Sequence, residues 1–134
     1  MKKFLITLGL LAFIILGTSS VAKATVVRFY ININISDTCH PTGYTGKYCV
    51  EVQLKFDNLP LCNKTVCNLS LGSQCVYFDC DVPGQSSDCY YQILLIAGSR
   101  SDGSCSSTPN ISSPNECWSV ITDSNCPIKL SIVI

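Results

Sequence analysis

Ten cysteines constrain this 134-residue chain more than any other feature. They are Cys39, Cys49, Cys62, Cys67, Cys75, Cys80, Cys89, Cys105, Cys117 and Cys126. An even count at this density reads as a disulfide framework of five bridges with no free thiol. Ten cysteines allow on the order of a thousand pairings, so spacing alone does not give the connectivity. One pairing is excluded. Cys75 and Cys80 lie in QCVYFDCDV, which reads as a strand, so they are too far apart to bridge and point to opposite faces. Cys62 and Cys67 bracket NKTV, which reads as a turn, and a local bridge is open to them. Zinc is disfavoured, because there is no C-x-x-C and only one histidine. A redox-active pair lacks the same signature.

The N-terminal segment gives the compartment. Lys2 and Lys3 precede an apolar run from Phe4 to Leu16, followed by Ala22-Lys23-Ala24. This is the pattern of a secretory signal peptide over residues 1–24, cleaved after Ala24. The run is too short to cross a bilayer, so no membrane insertion is expected after cleavage. The expected product is a secreted, extracellular single domain over 25–134. The full chain balances nine bases against nine acids. Loss of Lys2, Lys3 and Lys23 shifts that balance to −3. A phosphate backbone needs an excess of cations, so nucleic acid is not an expected partner.

The rest of the chain alternates with period 2. Val27, Phe29, Ile31, Ile33 and Ile35 fall on one side of 25–35, and Arg28, Tyr30, Asn32 and Asn34 on the other. Val50, Val52, Leu54 and Phe56 do the same in 48–56. Further strands are expected at 65–71, 74–82, 89–97, 117–122 and 127–134. QILLIA is apolar on both sides and is expected to be a central strand. Gly, Pro, Ser, Asn and Asp fill the connections. The expected fold is all-β, a disulfide-stapled antiparallel β-sandwich of about seven strands and immunoglobulin-like size. Segment 98–116 reads as one long loop.

Function is read by weighing candidate sites. His40 is the chain's one imidazole and sits in a turn, without the context of a nucleophile. The chain is therefore expected not to be an enzyme, and no cofactor is expected. Asp79, Asp81 and Asp88 form a weak calcium candidate outweighed by an ordinary polar strand end. Asn34, Asn63, Asn68 and Asn110 each begin an N-x-S/T sequon, so a glycoprotein is expected where the host glycosylates. Tyr44 and Tyr48 are expected to be exposed recognition residues. The main expectation is a binding module for an extracellular protein or glycan, using loops 36–47 and 98–116. The alternative is an inhibitor or toxin-like effector that presents Arg100 on a disulfide-held loop. A small secreted hydrolase stands third.

Overall fold

The computed structural model describes residues 24–83 and 88–134. The expected leader, over residues 1–24, falls almost wholly outside them. Eight strands form two sheets: β1 (Thr25–Ser36), β2 (Tyr48–Phe56), β3 (Leu59–Leu69), β4 (Gly72–Val82), β5 (Tyr91–Arg100), β6 (Ser106–Ser107), β7 (Ile111–Ser112) and β8 (Lys129–Val133). One sheet has the order β4-β1-β8. The other runs β3-β2-β5-β6, with β7 also paired to β5. The chain is an all-β, two-sheet sandwich.

The alternation of β1 places Phe29, Ile31, Ile33 and Ile35 in the core, opposite Val50, Val52 and Leu54 of β2 and Ile93 and Leu95 of β5. Most pairing is antiparallel. β8 is the exception and runs parallel to β1, from Asn32↔Lys129 to Ser36↔Val133. The antiparallel sandwich thus includes one parallel pair. A parallel neighbour needs a long crossover, and the whole chain between β1 and β8 serves as one. The apolar C-terminal stretch is covered within the sandwich, since Ile132 and Ile134 are buried.

Residues 117–122 are not a strand. One helical turn, α1 (Trp118–Ile121), places Trp118 edge-on against Phe29 and Tyr91 at 5.7 and 5.4 Å between centroids. Strand β3 begins six residues before its expected start. Asp57 and Asn58 both take positive φ (47° and 65°) and close a two-residue hairpin directly onto Leu59. Segment 98–116 is not a continuous loop either. Residues 98–100 complete β5, and β6, β7 and Glu116 pair back along it.

Five bridges are present and no cysteine is free: Cys39–Cys105, Cys49–Cys67, Cys62–Cys80, Cys75–Cys126 and Cys89–Cys117. Cys75 and Cys80 have different partners, as strand geometry requires. The local Cys62–Cys67 option is overturned because NKTV lies within β3 rather than in a turn. Cys62 is paired with buried Leu54 and faces inward, and it bridges to Cys80 of the other sheet. Cys67 is exposed on β3 and joins Cys49 on the neighbouring β2. Bridges in this number are those of a chain folding in an oxidising, extracellular-type compartment. Among the described residues, no helix is long and apolar enough to cross a membrane.

Candidate recognition site

Loop 37–47 connects β1 to β2 at one end of the sandwich and is polar and mostly exposed. It is nonetheless held at several points. Cys39 bridges to Cys105, just beyond β5. Asp37, the second residue after β1's buried Ile35, points back under the loop. Its carboxylate takes Arg100 Nε at 2.8 Å and Nη2 at 3.1 Å. It also accepts the Tyr48 hydroxyl at 2.8 Å and the Cys39 backbone N–H at 2.9 Å. Arg100 Nη2 further donates to the carbonyls of Cys39 and Pro41 at 3.1 and 3.0 Å. The two ionic side chains are 3% and 6% exposed.

Each titration follows from these contacts. Arg100 is the main cause that lowers the Asp37 carboxyl to about 2, helped by the Cys39 N–H and the Tyr48 hydroxyl. Burial first, then the hydrogen bond to Asp37 and its charge, raises the Tyr48 phenol to about 12. Arg100 is held charged above its ordinary value by Asp37.

Two expected binding residues are therefore corrected. Arg100 is not presented on a loop. It ends β5 with its side chain inward, because an extra residue in β5 opposite Glu51/Val52 reverses the alternation and turns Gly98 and Arg100 toward the core. Tyr48 is not exposed either. It is 1% accessible, since it occupies the inward register that Val50 and Val52 continue. Tyr44 remains half-exposed. Its ring stacks beneath the Arg100 guanidinium at 4.8 Å, meets Tyr48 edge-on at 5.4 Å, and its hydroxyl donates to the Lys47 carbonyl at 3.0 Å. Gly46 makes room for that ring: a Cβ there would collide with Tyr44.

Around Tyr44 the surface forms a shallow concavity of about 220 Å³, lined by Pro41, Thr42, Gly43, Arg100, Asp102 and Ser104. Asp102 caps the Ser104 N–H at 2.9 Å, which lowers its carboxyl below the ordinary value and keeps it ionised at the rim. His40 is exposed on the same loop. Sequence reading missed Asp37. A lone acid in a turn carries no signal, and only an arginine ending an apolar central strand hints at a buried counter-ion.

The other candidates lie elsewhere. Asp79 is bound bidentately by Arg28 at 2.9 and 3.1 Å, and Arg28 lies over the Tyr77 ring at 3.9 Å. That pairing takes Asp79 out of the calcium candidate. Among the described residues no cluster of three ligating side chains occurs. Asn63, Asn68 and Asn110 are exposed, and Asn34 is half-buried on the outer face of β1. Asn63 accepts a hydrogen bond from Gln53 at 2.8 Å. Compared with protein families, curated proteins and solved structures, the chain matches none.

Proposed function

We propose that the protein is a secreted, non-enzymatic recognition module that binds an extracellular protein or glycan through the loop end at 37–47 and 101–105. One observation carries this reading: an exposed polar loop is fixed from below by a disulfide and a buried, multiply hydrogen-bonded ion pair. Well-packed apolar groups stabilise a core as well as such a pair does. What the pair adds is geometry, since it anchors the loop backbone at Cys39 and Pro41. A loop ordered before binding loses little entropy on binding. Tyr44 offers an aromatic face with its hydroxyl tethered, and Asp102 an ionised acceptor beside it. Together they suit a sugar ring or a side chain with a donor group. The leader pattern at 1–24 and the five bridges support secretion. The single histidine, exposed on a loop, supports a binding role over a hydrolytic one.

The test is to probe glycan and extracellular-protein arrays with the oxidised protein. The expected result is a hit that Tyr44→Ala and Asp102→Ala each weaken, with both variants still folded. A hit indifferent to both substitutions refutes the loop-end site. Turnover of generic ester or phosphate substrates by the purified protein refutes the non-enzymatic reading.

A further inference from the structure

A second concavity, of about 600 Å³, opens on a flank of the sandwich. The opposite flank is closed: β8 packs against β5 and β7, and Ser107 Oγ donates to the Val133 carbonyl at 2.6 Å. On the open flank the terminal strands of the two sheets, β3 and β4, face each other without pairing. They are clasped by Cys62–Cys80. The groove floor is apolar, from Val66, Leu69, Val76 and Phe78, with Tyr77, Lys64 and Asp79 at the rim.

Two features identify what fits. The first is directional. β4 pairs with β1 over eleven residues without a register break, and it contains no proline or lysine. Among the described residues, backbone groups of 64–69 and 75–79 make no backbone hydrogen bonds beyond their own ladders. Such an edge offers N–H and C=O groups at every second residue, which an extended backbone satisfies. An alkyl chain would bury them unpaired. The second feature is charge. Lys64 pairs with fully buried Val52, so it sits on the inner face of β3 at the groove mouth. Across the groove Lys64 faces Asp79 and helps to lower its carboxyl, but Asp79 is already bound bidentately by Arg28, so the mouth carries two cations for one carboxylate.

We propose that this groove receives an extended peptide segment of a partner protein as an added strand along β4, with an acidic side chain against Lys64 and apolar side chains on the floor.

The experiment is NMR titration of the oxidised protein with the blocked peptide acetyl-Val-Thr-Glu-Thr-Val-amide, following backbone amides. Shifts confined to 64–69 and 75–79 are expected. Lys64→Glu is expected to weaken binding about tenfold, one attraction lost and one repulsion gained. The peptide with Lys in place of Glu should recover binding to that variant. Methylating alternate peptide nitrogens should abolish binding. Four outcomes overturn the proposal. One is the absence of groove shifts at about 1 mM peptide, near the weakest affinity worth the name. The others are equal binding of the methylated peptide, displacement by palmitate, and concentration-dependent dimerisation in its absence.

Discussion

Replacing Gly98 by alanine inserts one methyl group where β5 meets β8. The new Cβ would lie 2.6 Å from Ile132 Cδ1 and 3.1–3.2 Å from two atoms of Ile134. Ile132 is fully buried and Ile134 is 3% exposed, so neither can swing into solvent. Overfilling a packed core costs roughly 1–3 kcal/mol. Alanine recovers about 0.4–1 kcal/mol by restricting the unfolded chain, because Gly98 does not use positive φ. The net loss expected is about 1–2 kcal/mol, or several degrees in Tm for a domain near 100 residues. Ile132→Val deletes the atom at 2.6 Å and alone costs about 1 kcal/mol. If the contact is the cause, the two losses do not add. The double variant should be at least about 1 kcal/mol more stable than their sum. Guanidinium unfolding of the oxidised proteins, followed by fluorescence of the single Trp118, measures all four corners. Unchanged stability of Gly98→Ala refutes the reasoning, as does an additive double variant.

Four further outcomes are expected. The Asp37 carboxyl is lowered in the folded state, so its contribution is fully present above the unfolded value near 4 and is lost as pH falls toward about 2. Acid titration monitored by hydrogen exchange should therefore release loop 37–47 in that window, and Asp37→Asn should release it at neutral pH. Removing Cys39 and Cys105 together opens a closure of 66 residues, worth at most about 4 kcal/mol on chain entropy, and loop protection should be the first to fall. Gly46→Ala should displace the Tyr44 ring, seen as a changed near-ultraviolet circular dichroism signal, with stability lowered by about 1 kcal/mol. In a glycosylating host, mass spectrometry should find glycan at the exposed Asn110 and Asn68, with Asn110→Gln removing one glycan mass.

Strands β1 and β2 were legible because one face of each is buried and the other wet, so period 2 is written into them. The start of β3 was not. Leu59-Pro60-Leu61 resembles a connection, but β3 is an edge strand, where a missing N–H is tolerated. Residues 117–122 misled for a different reason. Six residues with mixed apolar positions fit a strand or a helical turn equally, and the contact of Trp118 with Phe29 and Tyr91 decides it. At the loop end, the partial exposure of Tyr44 is legible in the sequence, whereas the inward positions of Tyr48 and Arg100 are not. Tyr48 follows the register of β2, but Arg100 depends on one extra residue in β5, and a bulge leaves no mark in composition. Asp37 acquires its role only from Arg100, 63 positions away.

The parallel pairing of β8 with β1 sets an order of assembly for a chain that emerges N-terminus first. β1 is the first strand to appear and contributes four isoleucine or phenylalanine side chains to the core, yet one of its two neighbours is the last strand made. Cys49–Cys67 and Cys62–Cys80 each span 18 positions and become possible once β4 is out, so the β2–β3 hairpin and its link to β4 can be secured early. Cys75 must wait for Cys126, 51 positions later. Until then it is an unpaired thiol beside an unfinished sheet. Such a chain calls for an isomerase or chaperone near its exit site, and its yield in a host without one should fall with wrongly paired Cys75.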